Sequence, residues 1–315
     1  MLPKSHWMIG NIFDSSARMS VPIFFMLSGY LLLEKDEPLN IFFKKRFNKV
    51  GIPLIVWSLI YIPWNDYYRE WPKISIYELY EIVLTPTYYH LWFLYAIIGI
   101  YLIMPILRVV VQQSSKSLLY YYILIWFLAA SIIPTVEKIT GVMSRIDLLA
   151  ISGFSGYLVL GLLLGKIQLT KRSAVAAGFL SVGCVIITIT GTYLLIVRNN
   201  GIFSNNYYDY LSPQIVISSV TIFVLIKYIV VNVRAFSNER LLSIIESISF
   251  ASLGIYLIHP IFIDLLGYGY LGFTLNCYQK HPIFIVPLTA ATTFVLSYVS
   301  VTILRQIPIV RKITP

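Results

Sequence analysis

Long apolar segments separated by short polar loops dominate the hydropathy pattern of this chain. A helix needs about 20 residues, with a range of about 17–25, to cross a bilayer. The first two segments are short by this rule, and the others satisfy it. The pattern therefore predicts an all-α polytopic membrane helix bundle, formed as a single domain over residues 1–315. The nine predicted spans are 19–33, 50–64, 89–107, 117–134, 152–167, 174–197, 211–231, 249–266 and 282–304.

Composition agrees with a membrane protein and excludes a soluble globular domain. The chain is 58% hydrophobic and only 12% charged, with a mean hydropathy of +0.77, whereas soluble domains are roughly 45–50% apolar and about 25% charged. The 24 tyrosines suit the aromatic belts found at membrane interfaces. Cys184 lies in an apolar run and Cys277 in a polar loop. We therefore expect the two cysteines not to pair, which excludes a disulfide scaffold.

The distribution of basic residues explains the net charge of +10 better than nucleic-acid binding does. Sixteen Lys and Arg fall in one alternate set of loops, 34–49, 108–116, 166–173, 227–248 and 305–315, and eight fall in the opposite set. Cytoplasmic loops of membrane proteins carry such an excess. The pattern predicts that the C-terminus is cytoplasmic. It also predicts that the protein's partner is a lipid bilayer and that the protein does not bind nucleic acid.

The number of spans conflicts with the predicted side of the N-terminus. Nine spans and a cytoplasmic C-terminus would place Met1 outside, yet residues 1–18 contain no cleavable signal peptide. One further helix upstream of Met1 would remove the conflict. We therefore expect a bundle of ten spans, of which this chain contains nine and lacks the first.

Motifs for common soluble enzymes are missing from the sequence. It contains no CxxC, HExxH, Walker or GxSxG pattern, and the expected chemistry uses no metal. No internal repeat marks an inverted-repeat transporter. Gly161 and Gly165 have the small-xxx-small spacing that allows close approach of membrane helices. Their predicted role is helix packing.

Four segments carry the polar groups that could support chemistry. SSARMSVPIFFMLSGYLLL contains Arg18 at the outer mouth of a span and Ser28 and Gly29 in mid-helix. FFKKRFNKVGIP is a basic run packed against a span. YYHLWFL places His90 at the outer start of a span, and SLGIYLIHPIFID places His259 near the middle of another.

Taken together, these segments resemble the acyltransferase-3 family of membrane acyltransferases. The matching signatures are SxRxSVPIFFMLSGYLL, F-x-K-x-R-x-x-K, YHLWFLYAIIGIYLIMPIL and SLGIYLIHPIF, which occur in order along essentially the whole chain. The resemblance is greatest to the branch containing the enterobacterial common antigen O-acetyltransferase. It implies a ten-helix core in the bacterial plasma membrane. It also implies transfer of an acyl group, commonly acetyl from cytosolic acetyl-CoA, to a saccharide hydroxyl on the far side of the membrane.

The resemblance also implies a cofactor site. Arg46 and Lys49 are three residues apart, so they would be neighbours on one α-helical face. They would hold the CoA phosphates, assisted by Lys45. The alternative is that this basic run only sets the membrane topology. Ser28 and Gly29 are also predicted to lie near the cofactor, because close helix packing at this pair would border a substrate tunnel. Ser28 has no neighbour in the sequence that would activate it as a nucleophile.

Three residues are candidates for the catalytic site. His259 is an ionisable residue inside a span, a position usually facing the bundle interior or a wet cavity. It is either a neutral imidazole hydrogen-bonded between helices beside the Pro260 kink or a site residue. His90 is expected in an aromatic belt at the outer rim or in contact with the acceptor sugar, and Arg18 at the outer mouth. The family's principal base, a histidine in its first helix, would lie in the helix missing from this chain.

Two other functional classes share these features. A transporter or exporter of lipid-linked sugars would show the same hydropathy and charge bias, but the sequence lacks a repeat and has few charges within its spans. A structural membrane scaffold would have no ordered polar track through the bundle. Transfer of acetyl from acetyl-CoA would distinguish an acyltransferase from both of these classes.

Overall fold

The computed structural model describes residues 4–66, 84–144, 153–233, 236, 238–276, 280–308 and 310–314. Every long regular element in these ranges is a helix, which confirms the all-α prediction. The α-helices are α1 Lys4–Ala17, α2 Ser20–Leu32, α3 Leu39–Arg46, α4 Ile52–Asp66, α5 Trp92–Gln113, α6 Lys116–Phe127, α7 Ile133–Thr140, α8 Ser155–Lys166, α9 Lys171–Arg198, α10 Pro213–Asn232, α11 Glu239–Tyr268 and α12 Pro282–Leu304. Single π-helical turns, Phe47–Gly51 and Leu128–Ile132, join α3 to α4 and α6 to α7.

Seven of the nine predicted spans are helices long and apolar enough to cross a membrane. Among the described residues these are Leu39–Asn65, Tyr89–Gln113, Lys116–Thr140, Lys171–Arg198, Pro213–Asn232, Glu239–Tyr268 and Pro282–Leu304. The helices extend beyond the apolar segments because their polar ends continue the same backbone hydrogen bonding. The result is a polytopic membrane bundle.

The other two predicted spans, 19–33 and 152–167, form the short helices α2 and α8, of 13 and 12 residues. At about 1.5 Å per residue, each reaches only about 20 Å, which is less than the ~30 Å hydrocarbon thickness. Their glycines allow these two apolar helices to pack closely against each other. A Cβ on Gly29 would lie 2.0 Å from the Leu158 carbonyl oxygen, and one on Gly161 would lie 1.9 Å from the Met26 carbonyl oxygen. The two helices bury each other through direct backbone contact, so the packing role predicted for Gly161 is confirmed.

The chain forms two compact units. Unit 1 comprises Met1–Asp36 and Ile106–Phe236, and unit 2 comprises Glu37–Pro105 and Ser237–Pro315. In unit 2, long-range hydrogen bonds link α4 to distant segments. Trp57 Nε1 donates to the Ile313 carbonyl at 2.8 Å, and the Tyr61 hydroxyl donates to the Leu257 carbonyl at 2.7 Å.

Helix α1 lies before the first predicted span and was not among the predicted helices. Its buried residues are polar: Asn11 is 3% exposed and Ser15 is 2% exposed. Asn11 Nδ2 donates to the Ile189 carbonyl at 3.0 Å, and Ser15 Oγ donates to Asn11 Oδ1 at 3.1 Å. Hydropathy alone misses this helix because it is anchored by hydrogen bonds rather than by an apolar stripe.

Lys227, an ionisable residue within a span, has a structural role in unit 1. Its Nζ donates to the carbonyl oxygens of Gly165 and Ile167 at 2.6 Å each, and to that of Leu164 at 3.1 Å. These carbonyls lie at the C-terminal end of α8, where the helix no longer supplies its regular backbone donors. In a bilayer such groups must be satisfied within the protein, and Lys227 does this.

Candidate active site

Two histidines, His90 and His259, meet in unit 2. Their ring centroids are 5.5 Å apart and the rings are nearly perpendicular, at 84°. His90 lies in the 3₁₀ turn Tyr89–Leu91 that precedes α5, and His259 lies on α11. The structure therefore brings together two of the residues singled out from sequence, although they are 169 positions apart in the chain.

The proline after His259 determines the tautomer of the His259 ring. Pro260 has no N–H, so the Tyr256 carbonyl, four residues earlier, lacks its usual helical donor. His259 Nδ1 lies 2.7 Å from that carbonyl oxygen. A carbonyl only accepts hydrogen bonds, so Nδ1 carries the proton and Nε2 carries the lone pair. The sequence Tyr-x-x-His-Pro thus favours the tautomer in which Nε2 is the basic nitrogen of the neutral ring.

His259 borders a cavity of about 580 Å³ between α11 and α12. Most of its lining is apolar, including Ile263, Val286 and Phe294, and the polar residues include Asn276 and Thr293. This volume lies in the range of roughly 300–1,000 Å³ found for small-molecule sites. The basic nitrogen thus belongs to a ring that lines a ligand-sized space, as expected for a site-lining residue.

His90 is buried, at 5% exposed, among aromatic rings. The ring of Tyr61 lies 4.9 Å from it, centroid to centroid, and the ring of Tyr256 lies 5.3 Å away. The Tyr256 hydroxyl donates to the His90 carbonyl. A 3₁₀ turn at the start of α5 directs the side chain inward, which spacing in an aromatic sequence does not reveal.

Asp264, near the two histidines, accepts hydrogen bonds from two aromatic side chains and is not paired with His259. Its Oδ2 accepts from Trp64 Nε1 at 2.8 Å and from the Tyr88 hydroxyl at 2.7 Å. The five-residue separation already made a direct His259 pair improbable. Sequence reasoning did not identify Tyr61, Tyr88 or Tyr256 as members of this cluster. The one local signal was Tyr256, three residues before a histidine that precedes proline.

The basic run of α3 forms a second site in unit 2. The Arg46 guanidinium lies over the Phe42 ring at 4.9 Å and over the Tyr101 ring at 5.5 Å. Glu37 approaches both basic neighbours, with Oε1 2.5 Å from Lys45 Nζ and Oε2 3.9 Å from Arg46 Nη2. Arg46 also lines a largely apolar cavity of about 470 Å³. Aromatic contacts and a carboxylate thus hold Arg46 at the edge of a ligand-sized space.

Lys49 is placed differently from Arg46. It lies in the π-helical turn Phe47–Gly51, is exposed, and is not among the residues lining the Arg46 cavity. A π-helical turn has more residues per turn than an α-helix. The α-helical spacing that made Arg46 and Lys49 neighbours on one face therefore does not apply here. Lys45 is exposed as well.

Arg18 is engaged within unit 1. Its Nη2 lies 2.6 Å from Asp14 Oδ2, and its guanidinium lies 4.3 Å from the centre of the Tyr208 ring. The Tyr208 hydroxyl donates to Asn11 Oδ1 at 2.6 Å. Burial raises the pKa of this hydroxyl, which keeps it protonated as a donor. Arg18 thus ties the end of α1 to the loop that precedes α10.

Ser28 and Gly29 lie on α2, away from the two histidines in the chain. Gly29 is in backbone contact with α8, as described above, and Ser28 is half-buried. The geometry supports close packing at this pair. Cys184 is a buried free cysteine, and Cys277 lies outside the described residues. Over the described part of the chain, no group of three or more His, Cys, Asp or Glu side chains could hold a metal ion.

Comparison with known proteins assigns the family. The profile of the acyltransferase-3 family, described as an acyltransferase domain, matches residues 2–302. The chain belongs to the acyltransferase-3 family. As a family member with apolar helices long enough to cross a membrane, it is a multi-pass membrane protein.

Curated relatives share only part of their length with this family member. Glucans biosynthesis protein C of Escherichia coli O6:K15:H31 is 34% identical over 98 residues, which cover 28% of this chain and 25% of that protein. Glucans biosynthesis protein C of Salmonella paratyphi B is 34% identical over 105 residues, which cover 30% and 27%. The chain thus matches about a quarter of the length of these relatives. No solved structure shows a significant match.

Proposed function

We propose that this membrane acyltransferase transfers an acetyl group from acetyl-CoA to a hydroxyl of a cell-surface or lipid-linked saccharide. The observation that carries the proposal is His259 within a span: its Nδ1 is bound by the Tyr256 carbonyl, its Nε2 has a lone pair, and the ring lines a cavity of about 580 Å³. A neutral imidazole in this state is suited to remove a proton from a hydroxyl.

Two lines of evidence support a saccharide acceptor. The relatives that share 34% identity with part of this chain are named for glucan biosynthesis. The sequence signatures resemble the branch that contains the enterobacterial common antigen O-acetyltransferase, which supports acetyl as the transferred group. Both lines concern relatives, so the acceptor and the acyl group are the parts of the proposal that need direct measurement.

The proposed reaction needs one base and no covalent enzyme intermediate. The acceptor oxygen attacks the thioester carbonyl carbon while His259 Nε2 takes the hydroxyl proton. The tetrahedral intermediate then collapses, the C–S bond breaks, and the imidazolium returns its proton to the leaving thiolate. The products are the O-acetyl ester and free CoA thiol. The thioester supplies the activated acyl group, so the step requires neither a metal nor a nucleophilic serine.

Arg46 is the proposed anchor for the CoA phosphates, with Lys45 and Lys49 contributing positive charge nearby. Support comes from the placement of Arg46, whose guanidinium borders a cavity of about 470 Å³ and contacts two aromatic rings. Arginine matches phosphate oxygens in both charge and geometry. The two exposed lysines would act through longer-range attraction.

We further propose that the protein lies in the bacterial inner membrane with residues 34–49 and the C-terminus in the cytoplasm, where acetyl-CoA is available. The sixteen-to-eight excess of basic residues supports this orientation. A reporter enzyme active only in the periplasm, fused after Pro315, is expected to give no signal. An active fusion would reverse the orientation and remove acetyl-CoA from the side that contains Arg46.

The proposed activity can be measured with the purified protein in lipid nanodiscs. Acetyl-CoA labelled with ¹³C in the acetyl group is incubated with a membrane saccharide fraction. We expect release of CoA thiol together with a labelled acetyl ester on the saccharide, detected by mass spectrometry. If labelled saccharide fails to form while lipid-linked sugar crosses the bilayer, the protein is an exporter and the proposal is wrong.

The same assay tests Arg46. The Arg46→Ala substitution is expected to raise the KM for acetyl-CoA by about tenfold or more, because charge-assisted hydrogen bonds contribute ~1.5–3 kcal/mol. Lys35→Ala is the matched control, since Lys35 is an exposed basic residue in the same predicted loop. Equal small effects of the two substitutions would show that the basic run sets topology only.

A further inference from the structure

A polar cavity of about 400 Å³ lies within unit 1, separate in the chain from the histidine pair. The cavity lies where α7 meets the C-terminal end of α9 and the N-terminal end of α10. Its lining includes Lys138, Arg198, Asn199, Asn206, Tyr207 and Gln214. The remaining lining includes hydroxyl and aliphatic groups. Amide, hydroxyl, aromatic and basic side chains thus converge in a space large enough for a small ligand.

Two polar residues in the wall of this cavity are buried and hydrogen-bonded. Gln214 is 8% exposed, and its Nε2 donates to the Tyr207 carbonyl at 2.9 Å. Ser212 is 6% exposed, and its Oγ donates to the Asn206 carbonyl at 2.6 Å. These bonds fix the loop before α10 and define which atom of the Gln214 amide is the acceptor. The cavity is therefore preformed.

The Tyr207 ring is fixed from the other side. A Cβ on Gly191 of α9 would lie 2.4 Å from the Tyr207 ring, so the ring rests directly on the helix backbone. A rigid aromatic side chain with a polar end offers contact area at little cost in conformational entropy. Tyr207 thus adds a fixed aromatic surface to the amide and hydroxyl groups of the cavity.

The two basic side chains that line the cavity differ in how far their charge is balanced. Lys138 Nζ lies 3.0 Å from Asp209 Oδ2, so its charge is largely balanced. Arg198 forms no ion pair with any acidic residue in the described ranges. Within the described part of the chain, the Arg198 guanidinium thus borders the cavity without an acidic partner, beside amide and hydroxyl groups. This combination suits a ligand that carries several hydroxyls and one anionic group.

The location also suits an acceptor rather than acetyl-CoA. Helix α9 has 28 residues, which at about 1.5 Å each cover about 42 Å, the full thickness of a bilayer with its headgroups. Arg198 ends the helix, and the basic segment 166–173 lies at its start. If that segment is cytoplasmic, the cavity opens on the opposite side of the membrane.

We propose that this cavity binds the acceptor saccharide at a sugar unit bearing a phosphate or carboxylate group. The inference rests on the proposed function and adds the class of acceptor. Arg198 binds the anionic group, and the amides of Asn199, Asn206 and Gln214 bind sugar hydroxyls. An uncharged sugar would leave the guanidinium without a counter-charge and would bind more weakly.

Binding to the full chain in nanodiscs of zwitterionic lipid tests this proposal. The probes are glucose 6-phosphate, glucuronic acid, methyl glucoside and inorganic phosphate, measured by saturation-transfer NMR and thermophoresis. We expect at least one of the two anionic sugars to bind about tenfold more tightly than methyl glucoside and inorganic phosphate. Arg198→Gln should remove that preference. Arg172→Gln, at the other end of α9, should retain it, and Asn206→Ala should weaken binding of every sugar.

Three results would overturn the proposal: no binding of either anionic sugar, equal binding to the unaltered protein and to Arg198→Gln, or binding of inorganic phosphate as tight as that of the sugars. None of these measurements needs acetyl-CoA. If anionic sugars bind but no acetyl transfer occurs, the proposed function fails and the saccharide site stands. If transfer occurs with the same KM for the acceptor in Arg198→Gln, the site fails and the function stands.

Discussion

Replacing His259 with glutamine is expected to lower the rate of acetyl transfer by about 10²- to 10⁴-fold, the usual contribution of a general base. Glutamine has a similar length and can still donate to the Tyr256 carbonyl, which His259 Nδ1 contacts at 2.7 Å. It cannot accept a proton at neutral pH. The substitution therefore removes the base while keeping the hydrogen bond that compensates for Pro260. The measurement is the rate of labelled ester formation at saturating acetyl-CoA.

His281→Gln is the matched control for this experiment. His281 is exposed and precedes α12, so the same chemical change falls outside the cluster. Its transfer rate should equal that of the unaltered protein. Circular dichroism and the melting temperature should be unchanged in both variants. A His259→Gln protein that transfers acetyl within about threefold of the original rate would leave His259 with only the structural role of satisfying the Tyr256 carbonyl.

The Gly161→Ala substitution is expected to destabilise the protein strongly. A Cβ at this position would lie 1.9 Å from the Met26 carbonyl oxygen. Backbone atoms cannot rotate away as a flexible side chain can, so α2 and α8 must separate. Overpacking of this kind costs ~1–3 kcal/mol or more. We expect the melting temperature of the protein in detergent to fall by about 5 °C or more.

Two other glycines provide controls, one expected to behave like Gly161 and one expected to tolerate alanine. Gly29→Ala closes the same interface from the partner helix, where a Cβ would lie 2.0 Å from the Leu158 carbonyl oxygen, and should also destabilise. Gly178→Ala on α9 meets nothing within 4 Å and should leave the melting temperature unchanged or slightly raised. Equal melting temperatures for all three variants would show that the close contact of α2 with α8 is absent from the folded protein.

Hydropathy predicted most of the helices because transfer of a side chain into lipid depends on its own chemistry. The segment 282–304 was predicted with the observed bounds of α12. The same reasoning overestimated 19–33 and 152–167, since an apolar run can be buried against another helix instead of lipid. It also missed α1, whose buried residues Asn11 and Ser15 are polar and satisfied by hydrogen bonds.

The candidate site was predictable only in part. His259 was identifiable because an ionisable residue in an apolar segment is unusual. The contact of His90 with His259 was not predictable, since it depends on how α5 and α11 pack. Arg46 and Lys49 were paired on the assumption of α-helical spacing, whereas the structure places Lys49 in a π-helical turn, and no local residue pattern indicated that turn.

By itself, the sequence determined the membrane class, the all-α architecture, the basic asymmetry of the loops and the family, because each depends on residue chemistry summed along short segments. Only the tertiary structure decided which polar groups meet. It brought His90 to His259, joined Gly29 and Gly161 to the backbone of facing helices, and gathered Arg198 and Gln214 around one cavity. These contacts join residues far apart in the chain, and their geometry follows from helix packing, which no local pattern records.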